Sequence, residues 1–324
     1  MPKRVLVTGA SGFIGSHLAE ALLKRGYEVW ALVRRGSRRR WLPEGVKVWE
    51  GSLNEVPSLP PDLHHLFHLA GLTRARRPRE FFIVNAEGTR RLLLVLKEGG
   101  GIGGRFIYLS SLAAAGPCRP DLPRREDDPP QPVSPYGRSK LEGERHVLEF
   151  KDAFSVTILR PSAVYGPRDD YMWEYFRTVA KGVFPVLGGK ERWISLCYVG
   201  DLVEAIILAA EVPHPSGEIF FISDGQRYPL HFVTDMVASL LGRRVRRIRV
   251  PEVVARIVAW ASEGWGRLRG RAVPFNRNKC MEALQEAWLC DIGKAREILK
   301  FSPRYPLKEG LRITLQWYKR EGWL

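Results

Sequence analysis

The segment Gly9-Ala10-Ser11-Gly12-Phe13-Ile14-Gly15 constrains this chain more than any other. It is a G-x-x-G-x-x-G run that begins after the apolar run 5–7 and opens into a pattern in which Ile14, Leu18 and Leu22 share one helical face, closed by Gly26. A strand that turns on glycines straight into a helix lets the backbone approach a pyrophosphate, at a helix N-terminus whose unpaired N–H groups and dipole favour an anion. A dinucleotide is therefore expected at Gly9, Ser11, Gly12, Phe13, Ile14 and Gly15. Short β-type runs recur at 29–33, 46–48, 66–69, 106–109 and 156–159 with helical patterns between them, which predicts an α/β protein whose parallel sheet is wrapped by helices.

Composition narrows the class. With 45% hydrophobic and 27% charged residues in 324, the chain is expected to be soluble and globular, with room for a large domain and a smaller one. The best apolar run, 205–210, falls far short of the roughly 18 residues a spanning helix needs. The N-terminal apolar run is too short for an export signal, and Cys118, Cys197, Cys280 and Cys290 show no C-x-x-C spacing, so a reduced cytoplasm is expected. The formal charge of +16 comes from Arg spread along the whole chain, which reads as a basic surface without a nucleic-acid partner. His64, His65 and His68 share no ligand spacing with a carboxylate or cysteine, and no metal is expected.

After about residue 165 the pattern changes. Helical segments are expected near 201–211, 230–242, 251–265, 279–299 and 307–320, so the division is 1–165 for the cofactor, with segments near 197–225 returning to it, and 166–324 as a lid. The Pro-rich stretch 117–135 reads as a long loop, and its Glu126-Asp127-Asp128 run as solvated surface. Asp169-Asp170 is given a loop role. The densest basic cluster, 243–249, precedes a helix with a broad apolar face made by Val253, Val254, Ile257, Val258, Trp260, Ala261 and Trp265. Packing of that helix inside the small domain is preferred to a lid that rests on an anionic membrane.

Two further signals carry chemistry. Val33-Arg34-Arg35 ends the second strand, where an NAD site places an acidic residue on the ribose; the Arg34 fork suits the 2′-phosphate of NADP instead. Ser134-Pro135 opens a helix on which Tyr136 and Lys140 stand one turn apart on one face, and an ammonium there favours the phenolate. Ser110-Ser111 closes the run 106–109 upstream.

With these residues the chain resembles the extended short-chain dehydrogenase/reductase superfamily, in its NAD(P)-dependent epimerase/dehydratase group. Matching runs are Phe67-His68-Leu69-Ala70-Gly71, Asn85-Ala86-Glu87-Gly88-Thr89, Leu159-Arg160-Pro161-Ser162-Ala163-Val164-Tyr165-Gly166-Pro167 and Tyr198-Val199-Gly200-Asp201-Leu202. The resemblance implies a Rossmann-type doubly wound parallel sheet with a smaller helix-rich C-terminal substrate domain. It makes Tyr136 the general acid/base, Lys140 the residue that holds the nicotinamide ribose and lowers the Tyr136 pKa, and Ser111 a donor to the same substrate oxygen. Pro161 and Val164 would line the nicotinamide. Leu69, Ala70, Gly71 and Leu53 would lie along the adenine side, and Asn85 would support the cofactor. A homodimer built on two helices of each subunit is also implied.

Departures from the family pattern sharpen the expectation. Ser111-Leu112-Ala113 stands where nucleotide-sugar dehydratases carry Thr-Asp-Glu, so dehydration is not expected. Ile194 stands where epimerases carry a diphosphate-gripping Arg, with Arg192 two residues earlier, and the segment 188–201 is similar to the hydroxysteroid-dehydrogenase-like and dihydroflavonol-reductase-like branch. The expected function is hydride transfer between NADP(H) and a secondary alcohol or ketone, a small-molecule substrate. The alternatives are a nucleotide-sugar epimerase with tightly held NAD, and a noncatalytic dinucleotide-binding protein.

Overall fold

The computed structural model describes residues 2–270, 273 and 275–324. Its strands are β1 (Arg4–Thr8), β2 (Glu28–Val33), β3 (Lys47–Glu50), β4 (Leu63–His68), β5 (Arg105–Leu109), β6 (Ser155–Pro161), β7 (Ala163–Tyr165), β8 (Val183–Leu187), β9 (Trp193–Ile194), β10 (Leu196–Tyr198), β11 (Glu218–Ile222), β12 (Tyr228–Pro229), β13 (Arg246–Val250) and β14 (Ala287–Trp288). Its helices are α1 (Phe13–Lys24), α2 (Pro78–Phe82), the π-helical turn Ile83–Glu87, α3 (Gly88–Glu98), α4 (Leu112–Ala115), α5 (Pro135–Leu148), α6 (Met172–Ala180), α7 (Val199–Glu211), α8 (Leu230–Leu241), α9 (Glu252–Leu268), α10 (Arg277–Ala283), α11 (Gly293–Ile298) and α12 (Leu307–Arg320).

Seven strands make one parallel sheet in the order β11-β6-β5-β4-β1-β2-β3. The order reverses between β1 and β4, and a doubly wound sheet opens its ligand crevice at that point, outside the carboxyl ends of the strands. Both faces are covered, and the strands show it with period two: Val5 and Val7 pack toward α1 and α7, Leu6 toward the opposite cluster of Leu92, Leu93 and Leu96 from α3 and Val147 from α5. The fold is therefore a Rossmann-like α/β sheet with helices on both sides.

Three features depart from the sequence expectation. The helix expected over 279–299 is two helices with β14 between them, because Ala287 and Trp288 pair in parallel with Trp193 and Ile194, and Cys118 N–H donates to the Ala287 carbonyl at 3.0 Å. Long-range strand pairing overrides the local helical spacing there. Glu126 is half-buried rather than solvated: its carboxylate accepts from Phe221 N–H at 2.8 Å and so covers the open edge of β11. Helix α9 is a helix as expected, yet it does not bury its broad apolar face. Its packed side is Ala255 and Ala259, against Leu187, Val250, Cys280 and Leu284, while the large side chains point outward.

Candidate active site

The glycine turn sits at the carboxyl end of β1. Gly9 has φ +73°, and a Cβ there would stand 2.8 Å from Ala70 N, so the turn after β1 lies directly against the loop after β4. Helix α1 begins at Gly12 with no side-chain cap and no acidic residue in its first turn. Its first N–H groups and the positive end of its dipole remain available to an anion, which fits the pyrophosphate of a dinucleotide. Arg34 is exposed at the end of β2, and among the described residues Arg34, Arg35 and Arg38 have no carboxylate partner, whereas Arg39 and Arg40 are paired with Glu50 and Glu321.

Leu69, Ala70 and Gly71 form the opposite lip. Leu69 N–H donates to the Thr8 carbonyl at 3.2 Å and Ala70 N–H to the Thr8 hydroxyl at 3.1 Å, tying the lip to β1. Asn85 holds the next residue from both sides: it accepts from Leu72 N–H at 2.7 Å and donates to the Leu72 carbonyl at 3.0 Å and to Ser139 Oγ at 3.0 Å. Fully buried, with both amide donors spent on protein, Asn85 props the loop and has none left for a ligand. Leu53 is buried against Gly88 and its carbonyl accepts from Arg91 at 3.2 Å. Pro161 is buried at the end of β6, and Val164 is half-buried in β7 beside Cys197.

The two serines after β5 divide their work. Ser110 donates to Glu144, whose carboxylate also takes a two-pronged grip from Arg160 at 2.9 and 2.6 Å, a buried network beneath the site. Ser111 caps α4, accepting from Ala113 N–H at 3.1 Å, and its hydroxyl is near enough to the Tyr136 phenol to act on its acidity. Gly137 makes the approach feasible, since a Cβ there would meet the Ala113 carbonyl at 2.2 Å and push α4 off α5. Ser134 caps α5 by accepting from Gly137 N–H at 3.1 Å, Pro135 takes its first position, and Tyr136 follows, half-buried.

Lys140 lies fully inside. Its ammonium donates to the Leu109 carbonyl at 2.6 Å and sits 4.3 Å from the Tyr108 ring centre, and a Cβ on Gly71 would come within 3.7 Å of it. Burial pushes it down to about 7, with Glu144 pulling the other way. Burial raises the Tyr136 phenol above its ordinary value; the Ser111 hydroxyl and then the charge of Lys279 draw it back. Lys279 is thus a cation that acts on Tyr136 from the lid side.

Lys279 is the residue that the sequence reading missed. Its ammonium stands 5.7 Å from the Tyr136 ring centre and 4.7 Å from that of Tyr171, and it pairs with Glu282 at 2.7 Å. Burial works against its charge, but Tyr171 and Glu282 hold it protonated. Glu282 accepts in turn from Ser134 Oγ at 2.6 Å, so the cap of α5 and the lid helix α10 are joined by one polar chain. Asn276 caps α10 on Lys279 N–H at 3.0 Å, the only local signal that a helix starts there. Asp169 has a loop role, capping α6 through Tyr171 N–H at 2.8 Å and Met172 N–H at 3.1 Å. His68 is held between Thr8 and Thr89 hydroxyls at 2.7 and 2.9 Å and is a buried structural group.

Comparison with known proteins places this geometry. The chain is 29% identical to a ceramide reductase of Caulobacter vibrioides, over 99% of this chain and 96% of that one. It is 29% identical to a 3-beta-hydroxysteroid dehydrogenase of Mycolicibacterium neoaurum, over 97% and 91%. The crystal structure of UDP-glucose 4-epimerase from Thermus thermophilus in complex with NAD matches with a TM-score of 0.77 at 25% identity, covering 98% of this chain and 99% of that one. Residues 5–223, the glycine turn through β11, match the model of the NAD dependent epimerase/dehydratase family. A crevice at the switch of strand order, an uncapped glycine turn and full-length relatives lead to one conclusion: the chain belongs to the NAD dependent epimerase/dehydratase family and is an NAD(P)-dependent enzyme of the extended short-chain dehydrogenase/reductase type.

Proposed function

We propose that this enzyme interconverts a ketone and its secondary alcohol with NADP(H), and that its substrates are apolar. Residues 9–15 would hold the pyrophosphate, Arg34 the 2′-phosphate, and Lys140 the nicotinamide ribose, with Pro161 and Val164 along the ring. Bound there, the cofactor supplies or accepts a hydride. The Tyr136 phenol holds the proton that the substrate oxygen takes up on reduction. Ser111 donates to that same oxygen and keeps it beside the phenol. The Lys279 charge, fixed by Glu282, steadies the phenolate that remains once the proton has moved.

The observation that carries a reductase over an epimerase is the position of Arg192. Its two terminal guanidinium nitrogens donate to the carbonyls of Leu187, Lys190 and Leu284 while its Nε is buried without a partner, and half-buried Ile194 stands where a diphosphate grip would be needed. The names of the ceramide reductase and the hydroxysteroid dehydrogenase agree with an apolar alcohol or ketone; the epimerase supports the rival. We keep residues 1–165, with 197–225, as the cofactor domain and 166–324 as the lid, and place the enzyme in the cytoplasm as a homodimer through two helices of each subunit, one of them α5, which bears Tyr136. Among the described residues no helix is long and apolar enough to cross a membrane.

The test is a panel of steroid-sized and long-chain ketones with NADPH. Turnover that falls by about 10²–10⁴-fold in Tyr136→Phe is the expected result. Epimerisation of a nucleotide sugar without added cofactor, and no ketone reduction, would overturn the reading.

A further inference from the structure

Helix α9 is built inside out. The residues it turns toward the protein are small, Ala255 and Ala259, both buried. The opposite arc carries Val253, Val254, Ile257, Val258, Trp260 and Trp265, all exposed, with Trp260 at 68% and Ile257 at 60%. Stepping 100° per residue, these six side chains spread over a little under half the helix circumference, and the intervening Ala261 and Gly264 add no polar group. Both carboxylates of the helix face elsewhere: Glu252 lies against the Gly188 turn and Glu263 pairs with Arg277 at 3.0 Å. Strand β13 runs straight into this helix through Pro251 and extends the apolar strip with Ile248, exposed between Arg247 and Arg249.

Among the described residues the charges beside the strip that lack an ion-pair partner are arginines. Among the described residues Arg243, Arg244, Arg246, Arg249 and Arg256 have no carboxylate partner, while Arg247 is taken by Asp235. Arg269 stacks on Trp265 with its guanidinium 4.3 Å from the ring centre. An uninterrupted apolar arc needs a hydrocarbon partner, tryptophans suit the boundary between hydrocarbon and headgroups, and unpaired arginines need anions at that boundary. A second copy of the same face would bring several unpaired arginines against one another, with Asp235 already taken by Arg247.

We propose that α9 and β13 form a docking surface for an anionic lipid bilayer, with the α9 arc sunk among the acyl chains and the arginines among the headgroups. The surface reverses the packed-helix expectation drawn from the sequence. It also lies next to the site, since α9 packs through Ala255 and Ala259 on Cys280 of α10, the neighbour of Lys279. Delivery of an apolar substrate from the bilayer to the cleft rests on the reductase reading; the docking itself does not.

Sedimentation of the full chain with vesicles tests this without any turnover. Binding to phosphatidylcholine vesicles that hold one third phosphatidylglycerol, and weak binding to phosphatidylcholine alone, is expected. The partition coefficient should fall about tenfold or more in Ile257→Ser with Trp260→Ser, and by a similar factor in Arg246→Gln with Arg249→Gln or on raising the salt. All four positions are exposed, so an unchanged melting temperature separates lost docking from lost folding. No binding to anionic vesicles at low salt, or equal binding by the variants, overturns the proposal. A dimer that the Trp260→Ser change dissolves, or duplex DNA bound in place of vesicles, also overturns it.

Discussion

Helices α1 and α9 carry apolar stripes of the same kind and turn them opposite ways. In α1, Leu18 and Leu22 are fully buried against the sheet beside Val5, Val7 and Val29, and the charged residues point out. In α9 the large side chains point out and alanines point in. The difference lies in what each helix has to cover. Helix α1 covers β1 and β2 of a seven-stranded sheet whose face it shares with α7, whereas α9 rests on a two-stranded ribbon and the short α10 that need only small side chains to close over them. Periodicity tells that a helix has two unlike faces; it does not tell which medium each face meets.

Matched truncations sharpen that comparison most. Leu18→Ala should cost about 2–5 kcal/mol of unfolding free energy, the usual range for emptying a packed core site. Ile257→Ala should stay within about 0.5 kcal/mol, as an exposed substitution does. Denaturant melts of both variants check this, and equal losses would mean that α9 buries its stripe after all. A smaller effect concerns the lid's reach into the site. Lys279 draws the raised Tyr136 phenol down, so removal of its charge in Lys279→Met lets that pKa rise. In the reductive direction, where the phenol must be protonated, activity should then persist to higher pH; in the oxidative direction the rise in activity should begin at higher pH. pH profiles of kcat/KM for ketone and alcohol read both limbs, and unmoved limbs would detach Lys279 from Tyr136.

What the sequence made legible follows the same line. The glycine turn, the six strands before residue 165 and the Tyr136–Lys140 pair could be read because each is fixed within one βα unit. The spacing Ile14, Leu18, Leu22 needed no distant partner to be interpreted. Features made by distant pairing were not legible. The break between α10 and α11 depends on Trp193 and on Cys118, Glu126 is captured by a strand nearly a hundred residues later, and Lys279 reaches Tyr136 from the far end of the chain. A lysine on a seven-residue helix gives no local sign of the phenol that it faces. The direction in which α9 points was invisible for the same reason, since the small core that it covers is assembled from β8, β13 and α10.

The proposed reductase needs an exchangeable NADP(H) at the glycine turn with Arg34 on its phosphate. The direct measurement is to denature the purified protein, identify any released nucleotide by chromatography, and titrate the apo form with NADP⁺ and NAD⁺. Reversible binding with a preference for NADP⁺ of about tenfold or more, equivalent to roughly 1.4 kcal/mol, is expected, with loss of that preference in Arg34→Ala. Stoichiometric NAD that resists exchange would contradict it and return the enzyme to the epimerase reading.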